Sequence, residues 1–206
     1  MRAAWPAERL AGVRRTVFVP GDRGVDAYRL LTALVVPRPI AWISTVSVDG
    51  IANLAPFSFF NVASGTPPMV LFVSVGRTDT LDNVRATGEF VVNIANESLA
   101  EQVNASSAHL APEVDEAAEL GLATEPSLRV APRRVAASPA SIECRLFDAT
   151  EVGDSTVVIG EVVAMTVADA VLDGQHPRFE TMAPVARLGD DEWGAPSRVV
   201  RRDRPD

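Results

Sequence analysis

Two short apolar runs, at residues 68–75 and 90–94, limit the folds that are open to this chain. Both are dominated by valine, other aliphatic residues and phenylalanine, and this pattern predicts strands with both faces buried. In residues 40–48 apolar side chains recur at alternate positions, which predicts a third strand. The Asp-Gly pair at 49–50 then predicts a hairpin turn into a further strand at 51–54.

The later part of the chain also predicts strands, with a few short helices between them. Residues 141–146 alternate, which predicts a strand with a dry face (Ile142, Cys144 and Leu146) and a wet face (Ser141, Glu143 and Arg145). A loop at 153–154 leads to a long valine-rich strand at 156–167. Helices are predicted at 26–34 with Asp26 as N-cap, at 80–86 and at 98–107, and residues 112–126 predict an acidic surface helix or loop. Strands without regular β-α-β alternation favour a mainly β, antiparallel barrel over a Rossmann sheet.

A length of 206 residues suits one domain with short appendages. We predict an N-terminal arm at residues 1–25, one domain at 26–195 and a C-terminal tail at 196–206. The first residues lack the apolar run of a secretory signal, and no apolar stretch approaches the roughly 18 residues that span a bilayer. We therefore expect a cytoplasmic protein that does not bind membranes.

The charge balance and the scarcity of cysteine and histidine argue against several classes of function. Nineteen basic and 27 acidic residues leave a net charge of −8, whereas proteins that bind nucleic acid usually carry a basic surplus. Cys144 is the only cysteine, so an intrachain disulfide cannot form, and His109 and His176 lie far apart in sequence. We predict no metal site, and we expect Cys144 to be buried without a redox role. Redox chemistry would then need a bound organic cofactor.

Two segments combine a rigid backbone with the side chains that a planar ligand needs. Residues 37–45 (PRPIAWIST) hold two prolines at the entry to a strand, which fix the backbone direction at low entropic cost. Residues 53–61 (NLAPFSFFN) hold three phenylalanines, a proline and several amide or hydroxyl groups directly after the hairpin. Such a mixture is typical of sites for planar, mostly apolar ligands with a few polar edges. The alternative is that the phenylalanines only fill the barrel core.

The segment at residues 76–83 has the composition of an anion site. A strand ends at Gly76, and Arg77 and hydroxyl side chains follow at the start of a predicted helix. Backbone N–H groups and the helix dipole attract phosphate at such a position, and an arginine adds charge-assisted hydrogen bonds. The alternative is that Asp79 or Thr80 only caps the helix and that Arg77 is an ordinary surface charge.

Seven stretches, in the same order, resemble the hallmark motifs of the flavin reductase-like FMN-binding proteins. They are 37–45, 53–61, 79–83 (DTLDN), 88–93 (GEFVVN), 101–106 (EQVNAS), 159–162 (IGEV) and 185–189 (VARLG). Each motif alone is moderately specific, and their common order makes the resemblance strong. It runs from about residue 26 to about residue 194, which is most of the chain.

The resemblance implies a split β-barrel with a Greek-key antiparallel core and short peripheral helices. It also implies a homodimer with FMN near the subunit interface, and NADH or NADPH and free flavin as small-molecule partners. The residues implied in FMN binding are Ser44, Thr45, Asn53, Ala55, Phe57, Ser58, Phe59, Arg77 and Thr80.

Within this set the resemblance assigns different roles to different residues. The flavin ring would lie beside the turn that follows residues 53–56, with Ser44, Thr45 and Ser58 among its polar neighbours. Arg77 and Thr80 would hold the phosphate, with Ser58 as a further candidate, and Asn61 would support the loop.

The chain departs from the family pattern near its end. The family often has Arg-Leu-Gly-Gly followed by a tyrosine, whereas residues 187–189 (RLG) are followed here by 190–193 (DDEW). The acids Asp190, Asp191 and Glu192 would repel an anionic dinucleotide if they face the site. Trp193 either stacks on the flavin or a nicotinamide, or only packs against the protein. The departure questions the use of NADH or NADPH more than it questions flavin binding.

These residues and the resemblance together predict a homodimeric FMN-dependent oxidoreductase. Hydride would pass from NADH or NADPH through bound FMN to free flavin or another acceptor. The flavin would perform the chemistry while the protein orients and shields it, so we name no side chain as a general acid or base. Three alternatives stay open: an FMN-binding electron carrier, a flavoenzyme that acts on an organic substrate without a flavin-diffusion step, and a non-catalytic FMN-binding dimeric protein.

Overall fold

Strands dominate the part of the chain that the computed structural model describes, residues 14–196 and 198–203. The strands are β1 (Arg38–Pro39), β2 (Ala41–Val46), β3 (Ala52–Phe57), β4 (Phe60–Gly65), β5 (Pro68–Val75), β6 (Glu89–Ile94), β7 (Thr124–Glu125), β8 (Arg134–Val135), β9 (Ala140–Val152), β10 (Ser155–Val167), β11 (Leu172–Asp173), β12 (His176–Pro177), β13 (Ala186–Arg187) and β14 (Trp193–Gly194). The α-helices are α1 (Ala27–Leu34), α2 (Asp79–Thr87), α3 (Ala100–Ala105), α4 (Glu116–Glu119) and α5 (Phe179–Met182), with 3-10 turns at Glu97–Leu99 and Asp169–Val171. Among these residues no helix is long and apolar enough to cross a bilayer.

Seven of the strands form one antiparallel sheet in the order β3-β2-β6-β9-β10-β5-β4. The predicted hairpin is confirmed: β2 pairs with β3 across a turn at Gly50, where φ is +85°. Strand β4 follows β3 after two residues, β3 packs against β5, and the Val73 amide donates to the Phe59 carbonyl at 2.9 Å. The two edges of the sheet therefore curl toward each other. The result is the mainly β, antiparallel barrel with short helices that the sequence predicts.

A smaller sheet joins the start of the barrel to the end of the chain. Strand β1 pairs with β13, and β13 pairs with β14. The register places Arg38 opposite Arg187, and Arg187 opposite Trp193. Beside this sheet Arg29 of α1 forms an ion pair with Asp190 at 2.7 Å. The first and last parts of the described chain are therefore held together.

The barrel interior is filled by aliphatic and aromatic side chains. These buried residues, here called the barrel core, are Ala41, Ile43, Val70, Phe72, Leu81, Val84, Phe90, Val92, Cys144 and Val158. Phe72 meets Phe90 edge-on, with ring centroids 5.4 Å apart. The absence of a side chain at Gly160 of β10 makes room for the Phe90 ring. A Cβ at Gly160 would lie 2.3 Å from Phe90 Cζ. Cys144 is fully buried and unpaired with another cysteine, as predicted.

A second cluster lies between the other face of the sheet and the short helices. The buried residues of this second core are Ile40, Trp42, Leu54, Ala95, Leu99, Val103, Ala117, Val135 and Val185. The indole N–H of Trp42 donates to Ser106 Oγ at 2.8 Å, which ties β2 to the end of α3. Ala117 anchors α4 in the same cluster, and α4 packs on β3.

Most of the predicted elements are confirmed with small shifts at their ends. They are the helices at 26–34, 80–86 and 98–107, which correspond to α1, α2 and the 3-10 turn with α3, and the long strand at 156–167, which corresponds to β10. Asp26 caps α1 by accepting from the Arg29 amide at 3.0 Å. The cap of α2 is Thr78, whose hydroxyl accepts from the Leu81 amide at 3.2 Å, and neither Asp79 nor Thr80 has this role.

The predicted wet face of β9 is wrong at two positions. Ser141 and Glu143 are buried, because the loop between β7 and β8 packs on this face of the strand. The Glu143 carboxylate accepts hydrogen bonds from the Leu128 amide at 2.8 Å and the Arg129 amide at 2.7 Å. Ser141 donates to Asn93 Oδ1 at 3.1 Å. Polar residues are buried here because neighbouring backbone and amide groups satisfy them.

The prediction of two buried faces is confirmed for β6 and holds for one face of β5. In β5, Val70 and Phe72 are buried, whereas Leu71 and Val73 on the opposite face are half-buried and Val75 is exposed. The half-buried face of β5 therefore borders a groove that the barrel itself leaves uncovered.

The predicted domain limits stay a prediction. Residues 14–25 of the expected arm contain neither helix nor strand, and α1 begins directly after the N-cap. Residues 1–13 of the arm, together with 197 and 204–206 of the expected tail, lie outside the described part of the chain.

Candidate functional site

A cleft of about 740 Å³ opens between β3, the start of α2 and the segment that leads to α4. Its lining, here called the long cleft, consists of Asn53, Ala55, Pro56, Phe57, Arg77, Thr78, Asp79, Thr80, Asp82, Ser106, Ser107, Ala108, His109, Leu110, Pro112 and Glu116. The volume lies within the roughly 300–1,000 Å³ that is usual for small-molecule and cofactor sites.

Strand β3 forms a flat, mostly apolar wall of the long cleft. Since successive side chains of a strand point to opposite faces, Asn53, Ala55 and Phe57 line the cleft while Leu54 packs into the second core. Phe57 rests on Phe72 of the barrel core, with ring centroids 4.9 Å apart. The wall is therefore backed by the barrel core.

A buried hydrogen-bonded layer lies beneath this wall. Asn53 Nδ2 donates to Thr80 Oγ1 at 2.9 Å and to Thr45 Oγ1 at 3.3 Å, and Asn83 Nδ2 donates to the same Thr45 oxygen at 3.1 Å. Asn53, Thr45 and Thr80 are buried, and Asn83 is half-buried. These four residues, here called the polar layer, connect the first turn of α2 to the β2–β3 hairpin.

The N-terminus of α2 borders the long cleft. A turn at Gly76, with φ at +68°, leads into the Thr78 cap, whose hydroxyl also bonds to Ser74 Oγ at 3.0 Å. Arg77 stands at the rim with 85% of its side chain exposed, and it forms an ion pair with Asp82 at 2.8 Å. Helix N–H groups, the positive end of the helix dipole and a guanidinium thus meet at one end of the cleft. This combination favours an anionic group there.

Glu116 contributes a buried carboxyl to the cleft wall. Its Oε2 accepts from the Leu54 amide at 2.8 Å, which satisfies a donor on the outer side of the edge strand β3. Burial raises the pKa of the Glu116 carboxyl, the hydrogen bond from Leu54 opposes this, and the charges of Asp115 and Asp79 add to the rise.

The structure brings five of the nine residues implied in cofactor binding into the long cleft. These are Asn53, Ala55, Phe57, Arg77 and Thr80. Thr80 is fully buried and reaches the cleft only as part of the polar layer, so Arg77 is the exposed member of the pair expected at a phosphate.

The other four residues lie outside the long cleft. Ser44 and Thr45 are buried behind β3, where Ser44 accepts from Asn93 Nδ2 at 2.8 Å. Ser58 faces two smaller cavities, and Phe59 lines one of these. The structure therefore does not bring Ser58 to Arg77 and Thr80.

The first smaller cavity, here called the side pocket, measures about 170 Å³. It is lined by Ile40, Pro56, Ser58, Val103, Asn104, Ser107, Arg187 and Trp193, and it shares Pro56 and Ser107 with the long cleft.

The second smaller cavity, here called the apolar groove, measures about 370 Å³. It lies between α1 and β5 and includes Leu31, Val35, Arg38, Phe59, Phe60, Leu71 and Val73. Asn61, at the end of this groove, accepts from the Val62 amide at 2.8 Å through its own side chain.

The acidic run near the end of the chain does not converge on the long cleft. Asp190 pairs with Arg29 of α1, and Asp191 and Glu192 are outside the lining of every cavity described above. Trp193 packs against the second core, and the Arg187 guanidinium lies 5.4 Å from the centre of its ring.

Sequence reasoning missed the third wall of the cleft, formed by residues 106–112 and Glu116. Acidic composition predicts exposure for residues 112–126, and a four-residue helix has no periodicity that would distinguish buried Glu116 from exposed Glu119. The motif at 101–106 does end at Ser106, and this was the one signal in the sequence that pointed to this wall. Among the described residues no group of three histidine, cysteine or acidic side chains could hold a metal ion.

A family model described as a flavin reductase-like domain matches residues 33–181 of the chain. An uncharacterized protein of Aquifex aeolicus is 42% identical over 173 residues, covering 81% of this chain and 88% of that protein. An uncharacterized protein of Halalkalibacterium halodurans is 38% identical over 192 residues, covering 87% of this chain and 91% of that protein.

Solved structures share the same fold over nearly the whole length. Nitrilotriacetate monooxygenase component B from Bacillus cereus has a TM-score of 0.87 and 27% identity, covering 92% of this chain and 100% of that one. The 2-nitrobenzoate 2-nitroreductase NbaA from Pseudomonas fluorescens has a TM-score of 0.85 and 28% identity, covering 93% and 96%. A split-barrel protein from Shewanella frigidimarina, with a TM-score of 0.81 and 22% identity over 88% of this chain and 95% of that one, shows the fold alone.

Proposed function

Because the chain belongs to the flavin reductase-like domain family, we propose that it is an FMN-dependent oxidoreductase that acts as a homodimer. NADH or NADPH would donate hydride, and free flavin or another acceptor would take up the electrons. Family membership supports a flavin-linked redox role in general. The monooxygenase component and the nitroreductase among its structural neighbours are consistent with this role.

The observation that carries the proposal is the chemical asymmetry of the long cleft. One end combines the N-terminus of α2 with Arg77, and the wall beyond it is the flat surface of Ala55, Pro56 and Phe57. FMN has the matching asymmetry, with a dianionic phosphate at one end and a planar ring at the other. The residues proposed to hold it are therefore Arg77 and the α2 N-terminus at the phosphate, with β3 along the ring.

The flavin, when bound, supplies the hydride-accepting chemistry. The residues of this chain orient it and keep water away. Phe57 and Ala55 offer an apolar surface, and Asn53 and Thr80 fix the distance between that surface and α2 through the polar layer. Ser44 and Thr45 act from behind β3 in this proposal, through Asn93 and Asn53, and not by direct contact.

A second copy of the chain is proposed to cover the apolar groove. Tyr28, Leu31 and Leu34 of α1 have exposed fractions of 63%, 60% and 78%, and Val62 of β4, next in the chain to Asn61 of the groove, is 71% exposed. A large exposed apolar patch is unusual on a monomer, and we propose that these side chains form one with the apolar groove. A two-fold dimer would bury it, and an obligate interface of roughly 2,000 Å² or more is expected.

The test of the cofactor is the visible spectrum of the purified protein, loaded with FMN and recorded before and after anaerobic addition of NADH or NADPH. Bleaching of the bound flavin supports the oxidoreductase. A yellow protein that only dithionite reduces indicates an electron carrier or a non-catalytic FMN-binding protein. A protein that does not bind FMN contradicts all of these functions.

The test of the assembly is light scattering of the FMN-loaded protein at micromolar concentration. We expect the mass of a dimer, and a substitution of Leu31 by glutamate in the apolar groove should shift it toward the monomer. A monomeric wild-type protein that still binds FMN contradicts the proposed dimer.

A further inference from the structure

The side pocket adjoins the long cleft, and the two share the lining residues Pro56 and Ser107. A molecule in the side pocket would therefore meet whatever occupies the long cleft. At about 170 Å³ the pocket is smaller than the roughly 300–1,000 Å³ of sites for drug-sized ligands, so it can accept a single ring but no dinucleotide.

Two arginines face each other across the small sheet next to this pocket. Arg38 and Arg187 lie directly opposite each other on β1 and β13, and like charges in this position are unfavourable. In the described parts of the chain neither guanidinium meets a carboxylate within ion-pair distance. Among the described residues the guanidinium that lines the pocket, that of Arg187, therefore has no ion-pair partner.

The two guanidinium groups differ in what they can still bind. Arg38 is buried, and backbone carbonyls of Thr32, Val35 and Leu188 accept from it. Burial lowers the pKa of Arg38, and the nearby charge of Arg187 lowers it further. Arg38 thus adds charge beside the side pocket without lining it, whereas Arg187 lines the pocket.

Arg187 is held in place for recognition. Its guanidinium lies over Trp193 at 5.4 Å from the ring centre, and its Nη2 donates to the Asp190 carbonyl at 2.6 Å. Trp193 in turn packs on the second core. An arginine that is fixed by stacking loses little side-chain freedom when it binds an anion, and its planar fork matches a carboxylate.

We propose that the side pocket binds a small, single-ring aromatic carboxylate as the organic co-substrate of the flavin site. Arg187 pairs with the carboxylate, and Ile40, Pro56, Val103 and Trp193 surround the ring. This inference rests on the proposed function, since a ligand in the pocket can act as a redox co-substrate only if a flavin occupies the long cleft.

The polar groups of the pocket add a preference within this ligand class. Ser58, Asn104 and Ser107 line it together with the apolar residues. They can hydrogen-bond to a second polar substituent on the ring. We therefore expect a substituted benzoate to bind more tightly than benzoate itself.

The experiment is equilibrium dialysis of labelled benzoate against the FMN-loaded protein, paired with the perturbation of the flavin spectrum by benzoate. Wild type should bind benzoate saturably. Arg187→Gln should weaken benzoate binding roughly ten- to hundred-fold, as for the loss of a charge-assisted contact. Neutral benzamide has the same shape, so its affinity should be equal in wild type and in Arg187→Gln.

Three further variants complete the test. Arg145→Gln removes an exposed arginine of β9 that lies outside the pocket lining, and it should bind benzoate as wild type does. Trp193→Ala should weaken benzamide through the lost ring contact, and benzoate further, since Arg187 also loses the ring that fixes it. Arg187→Lys keeps the charge and should retain part of the affinity even if Arg187→Gln folds poorly.

The two proposals fail in distinguishable ways. If FMN does not bind while flavin-free protein still binds benzoate through Arg187, the proposed function is wrong and the pocket assignment stands. If FMN binds and wild type shows no saturable benzoate binding, or if Arg187→Gln binds benzoate equally, the side-pocket inference is wrong. Binding of NADH but not benzoate at Arg187 and Trp193 contradicts it as well.

Discussion

The barrel core and the polar layer both lie on the face of β3 that carries Asn53 and Phe57, but different forces hold them together. In the barrel core, phenylalanine, valine and Cys144 interlock around the space left at Gly160. In the polar layer, Asn53, Thr45, Thr80 and Asn83 are connected by amide-to-hydroxyl hydrogen bonds. The core depends on shape, which many apolar combinations can satisfy. The polar layer depends on particular donors and acceptors, so it specifies one position of α2 relative to β3.

This difference separates stability from binding. Substitutions in the barrel core should lower the free energy of unfolding and leave ligand preference unchanged in the molecules that remain folded. Substitutions at the cleft rim should change ligand affinity and leave the unfolding transition in place.

The largest effect is expected for Phe90→Ala in the barrel core. It removes a fully buried ring that contacts Phe72 and fills the space beside Gly160, so the free energy of unfolding should fall by about 3–5 kcal/mol. Urea unfolding measures this value. Phe147→Ala on the exposed side of β9 is the control, and equal losses for the two variants would contradict the role of the core.

The next largest effect concerns the rim of the long cleft, where a substitution should lower ligand affinity and leave stability unchanged. Arg77→Ala should weaken FMN binding roughly ten- to hundred-fold, because it removes a charge-assisted contact to the phosphate. Riboflavin lacks the phosphate, so its affinity should be unchanged. The unfolding midpoint should also be unchanged, because the Arg77–Asp82 ion pair is exposed and adds little stability. Titration of flavin-free protein with both ligands measures the difference.

The matched control for Arg77 is Arg85→Ala on α2, the helix whose N-cap directly follows Arg77. Arg85 forms a comparable exposed pair, with Glu151 at 3.5 Å, but lies outside the long cleft. It should bind FMN as wild type does. An equal loss of FMN and riboflavin in Arg77→Ala would show that this residue acts on the ring or on the fold and not on the phosphate.

A smaller effect is expected for Cys144→Ala. Burial, with a further contribution from the charge of Glu143, raises the pKa of the Cys144 thiol to about 12, so the thiol stays protonated and unreactive at neutral pH. The variant should lose about 1 kcal/mol of stability and retain both the flavin spectrum and turnover. Iodoacetamide should not label the folded wild type. Lost turnover with an unchanged spectrum would make the thiol catalytic.

The smallest effect concerns pH and the buried carboxyl of Glu116. Its folded-state pKa is raised by burial, so the folded protein holds this proton more firmly than the unfolded chain does. Its stabilising contribution is therefore complete below the ordinary glutamate pKa and is lost as pH rises through the raised value. Glu116→Gln can still accept from the Leu54 amide but does not ionise. It should gain stability relative to wild type as pH rises through this window.

Urea midpoints measured from acid to neutral pH test the Glu116 prediction. Glu119→Gln, on the exposed side of the same helix, is the control and should run parallel to wild type. A constant difference between Glu116→Gln and wild type at all pH values would show that the carboxyl does not titrate differently in the folded protein.

The barrel could be predicted from the sequence because its signals are local. Each signal can be recognised within a few consecutive residues: the alternation in β2, the Asp-Gly turn, and the apolar runs of β5 and β6. The failure at Ser141 and Glu143 arises from contacts between distant segments, since the amides that satisfy Glu143 belong to Leu128 and Arg129. Alternation shows which residues share a face of a strand, but not what covers that face.

The candidate site was predictable only where it coincides with a motif. Asn53, Ala55 and Phe57 lie in the motif at 53–61, Thr80 lies in the motif at 79–83 and Arg77 lies just before it, and all five meet in the long cleft. Glu116 and the side pocket could not be predicted, because they depend on how α4 and β13 return to the barrel. No local pattern shows that Arg187 returns to lie opposite Arg38.

The small sheet of β1, β13 and β14 also has a consequence for the order in which the molecule is made. Strand β1 is synthesised among the first described elements, whereas its partner β13 comes near the end of the chain. All seven strands of the large sheet leave the ribosome before β13 does, and barrel formation need not wait for it. The side pocket, which needs Arg187 and Trp193, can therefore form only after all seven strands of the large sheet have been synthesised.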